Sequence, residues 1–116
     1  MIGVVPTQSR SAIAQDLVVD KAQRVAKSGD VKAVADYTAA VIETEAIRVY
    51  AGGDNEEIGQ KRILSQTAPI RETLGAGVLS SALKLVPEFI QENVKARPQL
   101  MEHTNSLFGR FSKEVQ

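Results

Sequence analysis

The feature that most constrains this chain is a run of thirteen residues, Leu74 to Val86, in which Lys84 is the single charged residue. Charged residues are frequent on both sides of this run, so we expect other helices to cover it. At 100 degrees per residue its apolar side chains fill about half of the helical circumference. The run is too short to span a bilayer, which takes about 20 apolar residues. The sequence therefore predicts a central packing helix.

Two glycines, Gly75 and Gly77, stand near the start of this run. Each costs about 1 kcal/mol relative to alanine inside a helix, and close contact with a neighbouring backbone would offset that cost. The same glycines are equally compatible with a break in the helix at this point. The segment lacks both the third glycine and the Lys-Ser/Thr pair of a phosphate-binding loop, so no nucleotide site is expected.

Length and composition limit the remaining choices. The 116 residues suffice for one hydrophobic core, so we treat residues 1–116 as a single helical domain. The 14 basic and 14 acidic residues cancel, so bulk charge gives no reason to expect binding to nucleic acid or to an anionic membrane. The chain has no cysteine, which excludes disulfides and thiolate metal sites but leaves the cellular compartment open.

The N-terminal residues carry a short apolar cluster that Pro6 ends. The cluster is too short for a helix and predicts an extended arm over residues 1–7, which either caps its own core or reaches a neighbouring molecule. No basic residues precede a long apolar stretch, so we expect a soluble chain without a signal peptide. The residues of this cluster are Ile2, Val4 and Val5.

Helical periodicity and helix breakers predict four long helices and one short helix. Gly29 suits the end of a helix and Asp30 suits the N-cap of the next. Asp54 and Glu57 have the spacing of a capping box, and Pro69 is placed to open a further helix. We predict an all-α bundle of four to five helices, mostly antiparallel with short loops. The predicted helices are 9–28, 31–51, 55–67, 70–96 and 99–113, of which 55–67 is short and lies on the surface.

The first predicted helix has two apolar strips. Ala14, Val18 and Ala22 lie on one face, whereas Ile13 and Leu17 lie well away from it. One strip would face the core, and the other needs a second neighbour. Surplus apolar surface of this kind favours self-association.

Two titratable residues, Glu45 and His103, are candidate functional groups. Glu45 falls inside the apolar face of the second helix, so it is either a functional acid or a carboxylate that swings to the rim and pairs with Arg48 three residues on. His103, the only histidine, falls on the polar face of the last helix beside Arg110, where we expect it to be exposed to solvent. It has no second ligand at the spacing of a metal-binding helix. We expect no metal, no cofactor and no catalytic residue.

By elimination, the sequence predicts a non-enzymatic structural or interaction protein that self-associates through helix faces. Shell, filament, virion and secretion-apparatus components are of this kind, and the expected partners are copies of the chain or other protein subunits. The alternative is a small regulatory or membrane-active protein that uses Leu74 to Val86 as a releasable segment. The predicted interaction residues are Ile2, Val4, Val5, Ile13, Leu17, Gly75, Gly77 and Leu79.

Overall fold

The computed structural model describes residues 21–115, and all regular structure in this part of the chain is helical. The prediction of an all-α chain is thereby confirmed. Residues 21–115 form four helices: α1 (residues 21–28), α2 (Val31–Tyr50), α3 (Glu56–Val94) and α4 (Pro98–Val115). Contacts join α2 to α3, α3 to α4 and α2 to α4, so these three helices pack together. The predicted arm lies outside the described residues, as do Ile2, Val4, Val5, Ile13 and Leu17.

Among the described helices, α2 buries the largest share of its residues. Its first turn is capped by Asp30, whose carboxylate accepts the Lys32 backbone N–H at 3.0 Å, as predicted. It contacts both α3 and α4. The run from Leu74 to Val86 buries one face in the core and keeps an exposed strip of small residues, so the prediction that other helices cover this run is met on that face alone. The buried side chains of α2 are Val34, Ala35, Tyr37, Thr38, Ala39, Val41, Ile42, Glu45 and Ala46.

The predicted boundary at Pro69 is wrong, because α3 continues through it and through Pro87. A proline inside a helix removes one hydrogen bond and tends to bend the axis. Ile63 and Ile70, on either side of Pro69, are both fully buried, and their packing outweighs that loss. The helix instead breaks at Gly75, where φ is 72° and ψ is −174°. The predicted helices 55–67 and 70–96 are thus one element divided six residues later than expected.

The start of α3 differs from the predicted capping box. Asn55 is the N-cap, and its side-chain oxygen accepts the Ile58 backbone N–H at 2.9 Å. Asp54 instead pairs with Arg62, one turn further along α3. The cap is therefore displaced by one residue because a nearby guanidinium competes for the aspartate.

Close helix contact occurs at a different glycine from those predicted. A Cβ atom placed on Gly75 or Gly77 would have no neighbour within 4 Å, so neither glycine is needed for close packing inside this chain. Gly75 is required because its positive φ strongly disfavours other residues. At the buried Gly59, by contrast, a Cβ atom would lie 3.2 Å from Leu107 Cδ2 and 3.5 Å from Val49 Cγ2. This glycine allows α2, α3 and α4 to meet closely.

One face of α4 packs against the core, opposite the polar face predicted for this helix. Four of its residues are buried, and two more are half-buried against the core. The Thr104 hydroxyl donates to the Leu100 carbonyl at 2.8 Å, so its polar atom is satisfied within the helix. The buried residues are Leu100, Thr104, Leu107 and Phe111, and the half-buried ones are Met101 and Phe108.

Tyr37 joins α2 to α3 through a hydroxyl that is mostly enclosed. The residue is 5% exposed, and its O–H donates to the Gln66 carbonyl at 3.2 Å. Burial raises the pKa of Tyr37 above its ordinary value of 10.0, because the enclosed phenolate would lose its hydration. The contribution of this neutral tyrosine to stability is complete below about pH 10 and is lost as the pH rises through the higher folded-state pKa.

We expect Tyr37→Phe to lower the free energy of unfolding at neutral pH by about 1 kcal/mol, the usual worth of one hydrogen bond. The difference from wild type should shrink above about pH 10, because only the wild type has this tyrosine to ionise on unfolding. Urea titrations from about pH 8 to about pH 11 would measure it. Tyr50→Phe is the matched control, since Tyr50 is 51% exposed. A gap between wild type and Tyr37→Phe that stayed constant up to pH 11 would contradict the burial argument.

Candidate functional site

Glu45 is fully buried, with 0% of its side chain exposed. Each carboxylate oxygen faces a guanidinium: Oε2 lies 3.0 Å from Nη1 of Arg48, and Oε1 lies 3.4 Å from Nη1 of Arg62. The predicted pairing with Arg48 is confirmed. The prediction that Glu45 swings to the rim is wrong, because α3 supplies Arg62 and the carboxylate stays enclosed between the helices.

Arg62 also donates to Asp54, in the turn that joins α2 to α3. The pKa of Arg62 is raised above its ordinary value, mainly because Asp54 accepts this hydrogen bond, while the charges of Asp54 and Glu45 act in the same direction. Two carboxylates and two guanidiniums thus form a network with no net charge. Both oxygens of Glu45 are engaged by cations, and its contact with Arg62 links α2 to α3.

A second polar cluster centres on Glu56, in the first turn of α3. Ser106 Oγ donates to Glu56 Oε2 at 2.9 Å, and Arg110 Nη2 lies 3.5 Å from the same oxygen. His103 Nδ1 lies 3.5 Å from Oε1. Ser106, His103 and Arg110 are spaced three or four residues apart, so they share one face of α4. Three side chains of α4 therefore converge on one carboxylate of α3.

His103 is more enclosed than predicted, with 34% of its side chain exposed. It faces Glu56 on one side, and the edge of its ring contacts Tyr50 with the ring centroids 6.2 Å apart. Tyr50 in turn donates its hydroxyl to Gln99 Oε1 at 2.9 Å. Across residues 21–115, histidine, aspartate and glutamate side chains form no group of three or more that could hold a metal ion.

Three large apolar side chains are exposed around the turn between α2 and α3. Ile47 is 47% exposed, Tyr50 is 51% exposed and Ile58 is 39% exposed. Ile47 and Tyr50 lie at the end of α2, and Ile58 lies at the start of α3. We call these three residues the turn patch. None of the three is among the predicted interaction residues, although the 100-degree spacing places Ile47 on the side of α2 opposite the buried face.

The described residues among those predicted for interaction are not brought together at one surface. Leu79 is 3% exposed and belongs to the core, whereas Gly75 and Gly77 are exposed beside the break in α3. Contact between these residues and a partner stays a prediction.

One helix of the described chain, Glu56–Glu92, is long and apolar enough to cross a membrane by length and composition alone. No such span was predicted from the sequence, because no segment there reaches the roughly 20 apolar residues that a span takes. Of the most apolar window in this helix, 28% is buried. Core helices meet the same criterion, and Leu79, Leu83 and Val86 of this helix lie in the core.

Neither the electrostatic networks nor the turn patch is by itself diagnostic of a known class of protein. Comparison with protein-family models, with curated proteins and with solved structures finds no match to this chain.

Proposed function

We propose that this protein is a non-enzymatic structural or interaction protein that self-associates through helix faces. Subunits of shells, filaments, virions and secretion machinery are of this kind. The observation that supports the proposal is the turn patch, in which Ile47, Tyr50 and Ile58 are exposed at one end of the bundle. The partner that we propose for this patch is a second copy of the chain.

We propose the turn patch as an interface because its three large apolar side chains are exposed on the two sides of one turn. Isolated apolar residues are normal on a protein surface, whereas several large apolar groups beside one turn favour association. Tyrosine is enriched in interfaces because it combines a large apolar ring with a polar tip. Tyr50 is already held by Gln99 and by the edge of the His103 ring, so it would lose little side-chain freedom on binding.

The described polar clusters support a role without catalysis. Both oxygens of Glu45 face guanidiniums, and Glu56 is engaged by three residues of α4. General acid-base chemistry needs a carboxylate or histidine that can reach a substrate proton. In these two clusters the carboxylates serve contacts between helices instead.

We also infer that α2 and the first part of α3 run antiparallel, as the sequence predicts. Tyr37 of α2 contacts Gln66 of α3, and Glu45 contacts Arg62. The residue later in α2 therefore contacts the residue earlier in α3, as expected for antiparallel helices. A bundle of this kind presents its turns at one end, which is where the turn patch lies.

We expect Ile47→Asp combined with Ile58→Asp to abolish self-association while leaving the helical content unchanged. Each change places a charge at an exposed apolar position, where it would have to be desolvated in an interface. Light scattering at micromolar concentration should give wild type a mass above the 12.5 kDa of one chain and the double variant a mass near it.

Ser80→Asp combined with Ser81→Asp adds the same two charges at exposed positions on α3, so this control should keep the wild-type mass. A wild type that stays monomeric at every concentration would overturn the proposal. If the double variant forms the same oligomer as the wild type, the turn patch is not the interface.

A second candidate is a small membrane-active helical protein, and the observation that favours it is the length and apolarity of Glu56–Glu92. Under the leading proposal, flotation with neutral and anionic lipid vesicles should leave the wild type in the unbound fraction. Flotation of wild type and of the Ile47→Asp, Ile58→Asp variant to the same extent would favour the second candidate, with α3 as the lipid-binding element.

A further inference from the structure

Gly75 divides α3 into a first arm, residues 56–74, and a second arm, residues 76–94. Its φ of 72° and ψ of −174° lie in a region that is open almost only to glycine. A straight helix of 39 residues would be roughly 58 Å long at 1.5 Å per residue. The molecule extends 50 Å along its longest principal axis, and this extent together with the non-helical dihedral angles of Gly75 indicates a bend between the two arms.

The contacts at the far ends show how strongly the arms are bent. The Arg97 backbone N–H donates to the Val94 carbonyl at 2.8 Å, so α4 begins directly beside the end of the second arm. Ser106, about two turns into α4, then reaches Glu56 at the start of the first arm. The end of the second arm is therefore brought back toward the beginning of the first, and α3 is a helical hairpin with Gly75 at its vertex.

This hairpin separates the described chain into two units joined by one residue. Residues 21–74 are tied internally by the contacts of Tyr37 with Gln66 and of Glu45 with Arg62. Residues 76–115 comprise the second arm and α4. They bind the first unit through the pairs Ser106–Glu56, Gln99–Tyr50 and Arg110–Gln60.

We propose that Gly75 is a hinge about which two copies of this chain exchange residues 76–115. If Gly75 adopts helical dihedral angles, α3 becomes one continuous helix and its second arm leaves the first unit of its own chain. The second arm then exposes its apolar face, which includes Leu79, Leu83 and Val86. The first unit of another copy offers that face the same complementary surface, with the same polar partners for α4.

A short hinge favours this exchange, because few residues must change conformation for two copies to swap an element. Gly75 is exposed, and a Cβ at this position in the bent conformation would have no atom within 4 Å, so no neighbouring group packs against the hinge. The inference rests on the proposed function only in taking a second copy as the partner. It uses the contact between the two units and not the turn patch.

The decisive variant is Gly75→Ala, made in the Ile47→Asp, Ile58→Asp background so that association through the turn patch is removed. Alanine strongly disfavours the bent conformation and favours the straight helix. We expect the mass to rise to about twice the 12.5 kDa of one chain. Gly77→Ala is the matched control, because Gly77 is helical and equally open, and its mass should not change.

Cross-linking distinguishes exchange from any other dimer. The chain has no cysteine, so Glu56→Cys can be placed in one copy and Ser106→Cys in another. When the two are unfolded and refolded together at high concentration, exchange should give a disulfide between chains on a non-reducing gel. A Gly75→Ala dimer without this disulfide, or a Gly75→Ala protein that stays monomeric, would overturn the inference.

If Gly75→Ala fails to fold, the cysteine pair in otherwise wild-type chains decides the question. Inserting Gly-Ser-Gly-Ser after Gly75 lengthens the hinge and should favour the closed monomer, with loss of the interchain disulfide. Absence of the disulfide before the insertion would also overturn the inference. The two proposals can fail separately. If the wild type is monomeric at every concentration but Gly75→Ala gives a cross-linked dimer, the proposed function is refuted and the hinge inference stands.

Discussion

Phe111→Ala should lower the free energy of unfolding by about 3–5 kcal/mol, the usual cost of removing a buried aromatic ring. Phe111 is fully buried and is the largest enclosed side chain among the described residues. Its loss would leave a cavity beneath α4 that rigid helices fill only in part. Urea denaturation followed by far-UV circular dichroism would measure the change.

Phe108→Ala is the matched control, because it makes the same chemical change one turn earlier on the same helix. Phe108 is half-buried, so its truncation should cost clearly less. Equal losses at the two positions would show that α4 does not dock with Phe111 inward.

A second large effect should come from leaving the Glu45 carboxylate without a cation. Arg48→Met combined with Arg62→Met removes both guanidiniums and leaves a buried, uncompensated charge, which is among the most destabilising arrangements in a protein interior. We expect the urea midpoint to fall strongly. Adding Glu45→Leu should recover more than half of the loss, because an apolar side chain of similar size needs no partner.

Arg110→Met is the control for this set. It removes a cation from Glu56, which is 31% exposed and can be compensated by water, so its effect should be small. If Glu45→Leu gave no recovery, the loss in the double variant would have to come from the packing of the arginine stems and not from the stranded charge.

The faces of α2 and α4 could be predicted from sequence because they depend on local spacing. Leu107 and Phe111 are four residues apart, and both are buried, as helical periodicity requires. The N-cap at Asp30 follows in the same way from the residue type next to Gly29. These features involve residues within one or two turns of each other.

The break in α3 could not be placed by the same reasoning. Pro69 and Gly75 are both helix breakers, and local rules favoured the proline. Burial of Ile63 and Ile70 keeps the helix intact around Pro69, whereas the open surroundings of Gly75 let it take a positive φ. Packing against α2 therefore decided whether the helix breaks at Pro69 or at Gly75. A local sequence pattern contains no information on that packing.

The partners of Glu45 and Glu56 on other helices could not be predicted from the sequence for a related reason. Arg48 was found because it lies one turn from Glu45, but Arg62 lies 17 positions away and depends on the register of α2 against α3. The Glu56 cluster joins residues 50 positions apart. Only the folded chain shows that His103 and Ser106 face the same carboxylate.

The sequence separation of these contacts also has a kinetic consequence. The pairs Tyr37–Gln66 and Glu45–Arg62 close loops of 29 and 17 residues, whereas Tyr50–Gln99 and Glu56–Ser106 close loops of 49 and 50. Longer loops cost more entropy to close, and contacts distant in sequence form more slowly. Residues 21–74 should therefore assemble first, and the concentration of chains at that moment decides whether the docking of α4 occurs within one molecule or between two.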